Sequence, residues 1–161
     1  MLLSLHIENI AVIRSVDFDF LPGFMVLTGE TGAGKSIVID SVNLLLGGKG
    51  DRELIRHGES YAMVSGLFGD LSEYTLEMLG ELGVRTEEDG SILIQRTLGA
   101  DGKNKITLNG RSISLALLKS LMPYLVSIHG HEVSGSAKEN FGCGEKPSLN
   151  FSGIPAREKA R

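Results

Sequence analysis

The sequence predicts an α/β fold with an antiparallel β layer beside a central sheet, and with helices packed against both. Two early segments, 3–8 and 16–20, alternate apolar with polar residues, which is the period of half-buried strands. A continuously apolar run follows at 24–28 and is typical of a strand buried on both faces. A glycine-rich loop and a helix-length segment come next, so the chain alternates strand and helix around this point.

The loop after that buried strand reads Gly29-Glu30-Thr31-Gly32-Ala33-Gly34-Lys35-Ser36, which fits G-x-x-x-x-G-K-S. Its glycines let backbone N–H groups point at phosphate oxygens, and the start of the next helix adds partial positive charge. Lys35 is expected to reach the β- and γ-phosphates, and the Ser36 hydroxyl to ligate Mg²⁺. Ile37 opens the helical run 37–46 and is counted with the site. Strand, loop and helix together predict a site for a nucleoside triphosphate, with ATP and Mg²⁺ as its ligands.

The later segments predict four more strands and two more helices. Strands are expected at 61–68, 92–98 and 105–109, with a tight turn at Asn109-Gly110. Asp70 is predicted to be the N-cap of a helix over 71–82, with Glu73 as its capping-box partner. A second helix should begin after Ser114 and stop at Pro123, and a strand at 125–128 should follow it.

Length and composition describe an ordinary single domain. The chain has 161 residues, 42% of them hydrophobic and 22% charged, and a formal net charge of −4. A net negative charge provides no broad positive surface that would attract nucleic acid, so any DNA contact must be local or lie in another chain. The single Cys143 excludes an internal disulfide, and no run is long and apolar enough to span a membrane. The N-terminus lacks the features of a signal peptide, and we expect a cytoplasmic protein.

The composition changes after residue 131. Ten of the residues in 132–161 are Gly, Pro or Ser, and no helical or strand period continues there. We therefore predict an ATP-binding lobe over 1–131 and a poorly ordered tail over 132–161.

Several segments resemble one family. The runs 7–13, 16–20 and 23–36 are similar to the opening of the RecN family, part of the structural-maintenance-of-chromosomes (SMC) group of ABC-type ATPases. Shorter stretches agree at 45–48, 55–58, 95–96, 101–102, 109–110 and 126–130. The resemblance covers residues 1 to about 131.

The resemblance implies an N-terminal lobe of an ATP-binding head that acts in recombinational repair of DNA double-strand breaks. In that family two heads sandwich ATP, and a C-terminal lobe supplies the signature loop and the Walker B carboxylates. The implied partners are therefore ATP, that lobe, a second head and, through the complete protein, DNA; the implied location is cytoplasmic and nucleoid-associated. Asn9 is a candidate contact to the base or ribose, although a core or turn role fits it equally.

Two departures from the family bear on activity. The family ends its last strand with His-Gly-Gln-His, whereas this chain reads His129-Gly130-His131. No Walker B or signature motif is present, and Ile37 to Asp40, which spell four letters of a Walker B strand, belong to the helix after the loop. The chain is thus expected to bind ATP far better than it hydrolyses it, and no residue is assigned as catalytic.

Two other interpretations of the chain stay open. The chain is alternatively another phosphate-loop protein, such as a transporter-type ATPase or a kinase, or a non-functional truncated fragment. Basic residues after the first helix, Lys49, Arg52 and Arg56, either reach phosphate or form a solvated turn.

Overall fold

A single antiparallel sheet forms the centre of the computed structural model, which describes residues 1–22 and 33–126. Its six strands have the order β2-β1-β3-β4-β5-β6. Their bounds are β1 (Leu2–Ile10), β2 (Ile13–Asp19), β3 (Tyr61–Phe68), β4 (Ile92–Gly99), β5 (Asn104–Leu108) and β6 (Arg111–Ser112). The antiparallel layer expected from the alternating segments is therefore confirmed. The strand predicted at 24–28, the residues 29–32 and the segments from 127 onward lie outside the described residues.

Three α-helices accompany the sheet. They are α1 (Ala33–Leu45), α2 (Glu73–Glu81) and α3 (Leu115–Leu125), and a short 3₁₀ helix spans Arg52–Leu54. Helix α1 packs against β1, β3 and β4, while α2 packs against α3. The strands of the sheet thus share one buried face with the helix that follows the predicted loop.

The buried face follows from the two-residue period of the strands. Leu5 and Ile7 of β1 pair with Gly66 and Val64 of β3, and all four are buried. The same alternation continues across β4 and β5. Apolar side chains that are no more than 5% exposed in these strands are Leu5, Ile7, Ile10, Ala62, Val64, Phe68, Ile92, Ile94, Leu98, Ile106 and Leu108. The core therefore lies between this face and the helices.

Helix α1 ends in a Schellman motif. The Gly48 N–H donates to the Asn43 carbonyl at 2.8 Å, and the Gly47 N–H donates to the Leu44 carbonyl at 3.2 Å. Gly47 has a φ of 93°, which a residue with a Cβ adopts only under strain. The helix thus ends at Leu45, within one residue of the end of the helical run predicted over 37–46.

The start of α2 differs from the sequence prediction. Ser72, not Asp70, is the N-cap, because its side chain accepts a hydrogen bond from the Thr75 N–H at 3.1 Å. Asp70 has a φ of 49° and lies in the turn between β3 and α2. The capping-box pattern pointed to Asp70, two positions before the actual N-cap. Serine is also a preferred N-cap residue, and α2 begins directly after Ser72.

Helix α3 also departs from prediction at its end. Ser114 is the N-cap, as expected, and accepts from the Leu117 N–H at 3.1 Å. The helix continues through Pro123 to Leu125, so the predicted stop before Pro123 is wrong, as is a strand that begins at 125. The ring of Pro123 already has a helical φ, and near the last turn its missing N–H removes only one hydrogen bond.

Candidate functional site

The described part of the predicted phosphate loop lies in the first turn of α1. Ala33 begins the helix, and Gly34, Lys35 and Ser36 follow within that turn. The helix therefore starts four residues earlier than the apolar run at 37 indicated. Gly34 and Ser36 are exposed and Lys35 is half-buried, so these residues face away from the core. Residues Gly29, Glu30, Thr31 and Gly32 lie outside the described residues.

The next turn of α1 anchors the helix in the core. Ile37 and Val38 are 6% and 8% exposed, and Ser41 is fully buried. The Ser41 hydroxyl donates to the Ile37 carbonyl at 2.6 Å, so its polar atom is satisfied within the helix. The Ile37 side chain thus packs in the core, directly after the first turn of α1. Asp40 is exposed on α1, which confirms that the Walker-B-like letters belong to this helix.

The first turn of α1 is electrostatically suited to an anion. It contains no acidic residue, so no side chain of that turn neutralises the partial positive charge of the helix N-terminus. Lys35 adds a full positive charge in that turn, and none of the ion pairs found between described residues includes it. A Cβ built on Gly34 meets no described atom within 4 Å, so the backbone here is open to close approach. These features fit a triphosphate held with Mg²⁺.

Asn9 lies close to the tip of the β1–β2 hairpin. It is 6% exposed and has a φ of 53°, and Ala11 at the tip has a φ of 50°. Both residues hold a left-handed conformation that is uncommon without glycine, although asparagine tolerates it better than alanine. The Asn9 carbonyl accepts from the Arg56 N–H at 2.9 Å. The hairpin tip is therefore tied to the segment after the 3₁₀ helix.

Arg56 strengthens the same connection with its side chain. Its guanidinium donates from Nη1 to the Val12 carbonyl at 2.6 Å, and the Ala11 N–H donates to the Leu54 carbonyl at 2.8 Å. Lys49 and Arg52 are exposed. Of the three basic residues considered from sequence, Arg56 is thus engaged within the chain and the other two face solvent.

Sequence reasoning missed Arg96, which is only 1% exposed. It occupies an inward position of β4, between Ile94 and Leu98, and hydrogen-bonds to carbonyls at the end of α1. The signal was available in the sequence, because an arginine replaces an apolar residue in the alternating series 92, 94, 96 and 98. A charged residue at such a position is rare and has a specific partner when it occurs.

A cleft of about 280 Å³ is bordered by the loop after α2, the β5–β6 turn and the start of α3, and no residue of α1 lines it. Within residues 1–22 and 33–126, no group of three or more His, Cys, Asp or Glu side chains is placed to hold a metal. None of the helices described is long and apolar enough to cross a membrane.

Comparisons with known proteins agree with this geometry. A family model described as an AAA domain matches residues 4–128. The chain is 42% identical over 134 residues to DNA repair protein RecN of Halalkalibacterium halodurans and 41% identical over 133 residues to that of Bacillus subtilis. These matches cover 82% and 81% of this chain but only 24% and 23% of the relatives, so the chain spans about a quarter of their length.

A solved structure shows the same fold at lower identity. It comes from work titled "Structural biochemistry of ATP-driven dimerization and DNA stimulated activation of SMC ATPases" and superposes with a TM-score of 0.61 at 23% identity. The match covers 76% of this chain and 78% of the solved one. The predicted α/β fold of an SMC-type head, N-terminal lobe, is confirmed by this likeness. The chain belongs to the AAA domain family, and its resemblance to the RecN group within the SMC-type ATPases is confirmed.

Proposed function

We propose that the chain binds ATP with Mg²⁺ at the N-terminus of α1, as part of the ATP-binding head of a RecN-like protein. The proposal rests on the first turn of α1. Gly34, Lys35 and Ser36 lie in this turn and outside the core, and the turn contains no acidic residue. A helix N-terminus that presents free N–H groups and a lysine favours a polyphosphate.

The side chains of this turn would bind different parts of the ligand. Lys35 would place its ammonium against the β- and γ-phosphates, and the Ser36 hydroxyl would ligate Mg²⁺. The metal ion would supply positive charge that offsets the phosphate oxygens. The backbone N–H groups of Gly29 to Gly34 would surround the phosphates, and Asn9 would contact the base or ribose. Buried Ile37 would keep the turn fixed on the sheet.

The function of the complete protein is proposed from its relatives. The curated relatives are named DNA repair proteins, and their length leaves room for parts that this chain does not span. We infer a role in recombinational repair of DNA double-strand breaks. The proposed partners are DNA, a C-terminal RecN-type lobe and a second head, in a cytoplasmic, nucleoid-associated protein. Hydrolysis is proposed for the complete protein, because phosphoryl transfer needs water-positioning groups beyond the phosphate cradle.

Calorimetric titration with ATP and Mg²⁺ tests the site. Lys35→Ala removes the charge that faces the phosphates, and charge-assisted hydrogen bonds are worth about 1.5–3 kcal/mol. The affinity should therefore fall roughly 10- to 150-fold. Lys105→Ala is a matched control, because Lys105 is an exposed lysine on β5 whose loss should leave ATP binding unchanged. Equal affinity in the wild type and Lys35→Ala would refute the site.

A further inference from the structure

Arg96 is the largest side chain among those that are fully buried in the described part of the chain. It projects from β4 into the core at a position where its neighbours on the same face are Ile94 and Leu98. Burying a charged group without a partner costs several kcal/mol, so its surroundings must compensate for the lost water.

The partners of Arg96 are neutral oxygens, one in the last turn of α1 and one just after the helix, at Gly48. Nη1 donates to the Leu44 carbonyl at 2.7 Å and to the Gly48 carbonyl at 2.6 Å, and Nε donates to Asn104 Oδ1 at 3.1 Å. None of the ion pairs between described residues involves Arg96. Burial lowers the pKa of its guanidinium, but an arginine retains its proton in proteins. The cation is therefore held by the negative end of the α1 dipole.

The chain after α1 encloses the guanidinium. The Leu44 carbonyl accepts both from Arg96 and from Gly47 of the Schellman motif. A Cβ on Gly50 would lie 2.7 Å from Leu98 Cδ2 and 3.2 Å from Arg96 Nη2, so a larger residue there would require the Leu98 side chain to shift. Arg96 thus connects the C-terminal end of α1, the loop behind it and the β4–β5 hairpin through Asn104.

Stability alone is a poor reason for an arginine at this position. An apolar side chain of similar volume is often neutral or stabilising in place of a buried charge. Apolar contacts, however, allow a helix to slide or rotate on a sheet, whereas the directional hydrogen bonds to the Leu44 and Gly48 carbonyls fix the axial and rotational position of the C-terminal end of α1. Helix α1 is 13 residues long, and its opposite end carries Gly34, Lys35 and Ser36.

We propose that Arg96 is a positioning residue for the nucleotide site, which holds α1 in the register that presents its first turn to the phosphates. The inference rests on the proposed ATP site and assigns no contact between Arg96 and the nucleotide. It requires that the two ends of α1 move together, as they do in a rigid helix about 20 Å long.

The test compares ATP affinity with stability in the full 161-residue chain. Arg96→Lys keeps the charge but cannot reach both carbonyls and Asn104 with a planar fork, and Arg96→Met keeps the volume without donors. Leu79→Ala, in α2, is the control, because Leu79 is fully buried but lies outside α1, β4 and the loop behind α1. Urea unfolding measures stability, and calorimetry measures ATP affinity at a temperature where every variant remains folded.

We expect both Arg96 variants to weaken ATP binding about fivefold or more, the lower end of typical coupling between sites, and Leu79→Ala to change it less than about twofold. In the wild type, ATP should also slow amide hydrogen exchange at residues 46–50, and this protection should disappear in Arg96→Lys. If the Arg96 variants fail to fold, Asn104→Ala, at an exposed position, should still weaken binding about two- to fivefold.

Three outcomes would overturn the inference, and they are distinguishable. ATP affinity that follows stability alone, with Arg96→Lys no different from Leu79→Ala, would show that Arg96 serves only the fold. An unchanged affinity in Asn104→Ala, where the Arg96 variants fail to fold, would count in the same way. A wild-type chain that binds no ATP would refute the proposed function itself, and the inference with it.

Discussion

Glu8 connects two side chains on the face of the sheet that points away from the core. It accepts a hydrogen bond from the Tyr61 hydroxyl at 2.6 Å, and its other oxygen lies 3.7 Å from His6 Nε2. His6 Nδ1 is in turn 2.6 Å from Asp17 on the neighbouring strand, to which it is directly paired in the register. A chain of polar contacts therefore crosses β2, β1 and β3 on the outward face, where a purely apolar row would have been exposed.

Tyr61 should titrate later than an ordinary tyrosine. Its hydroxyl donates to the Glu8 carboxylate, and this hydrogen bond, with smaller effects of burial and of the nearby negative charges of Glu8 and Glu59, raises the pKa of Tyr61. The hydrogen bond needs the neutral phenol, so its contribution to stability is present below the unfolded-state pKa and is lost as the pH rises through the folded-state pKa.

Absorbance titration of the phenolate checks this prediction. In a chain that carries Tyr74→Phe and Tyr124→Phe, Tyr61 is the remaining tyrosine. Glu8→Gln should then lower the pKa of Tyr61 toward its ordinary value. Identical Tyr61 titration curves for the Glu8 chain and for Glu8→Gln would show that the Glu8 carboxylate does not raise the pKa of Tyr61.

Local sequence signals located the elements well and their ends less well. Alternation predicted β1 and β2, because each of these strands has one face toward the core and one in solvent. Caps and prolines were harder to interpret, since two residues near α2 are chemically able to cap and only the backbone conformation distinguishes them. Asp70 has a positive φ, whereas Ser72 has the extended φ of −65° and ψ of 155° that an N-cap requires.

The cap of α2 gives a stability prediction at this scale. Ser72→Ala removes the hydrogen bond to the Thr75 N–H and should lower the free energy of unfolding by about 1 kcal/mol. Asp70→Asn should change it by less than about 0.5 kcal/mol, because asparagine tolerates a positive φ and Asp70 is not the cap. Urea denaturation of the two variants measures both values. A larger loss from Asp70→Asn than from Ser72→Ala would restore Asp70 as the cap.

For the molecule as a whole, the sequence contains a local pattern for the proposed site but none for the contacts that support it. The motif at 29–36 indicated which residues would face a phosphate, because that pattern needs only local geometry. Arg96 is 52 positions from Leu44, and no local pattern reports a contact between β4 and the end of α1. The hydrogen bond from Arg56 to the Val12 carbonyl, in the β1–β2 hairpin, joins residues 44 positions apart, so no local pattern predicts it either.

Within residues 1–22 and 33–126, both edge strands of the sheet have features that oppose pairing with another chain. Strand β2 carries Arg14, Asp17 and Asp19, all exposed, and β6 is only two residues long. Charges and short length are the usual means by which an edge strand avoids association.

The segment 132–161 is predicted to contribute little to this assembly. Its large branched aliphatic residues are only Val133, Leu149 and Ile154, which is few against the backbone entropy of about 1–2 kcal/mol that each ordered residue costs. Deleting it should shift the thermal midpoint by less than about 4 °C, as expected for a change below about 1 kcal/mol. Truncation after Lys119 is the control, because it removes Leu121 and Leu125, which are buried in the core, and should unfold the chain. Calorimetric scans of the three chains measure the midpoints. A fall well beyond 4 °C after deletion of 132–161 would mean that this segment packs as part of the native structure, and the boundary at residue 131 would have to be abandoned.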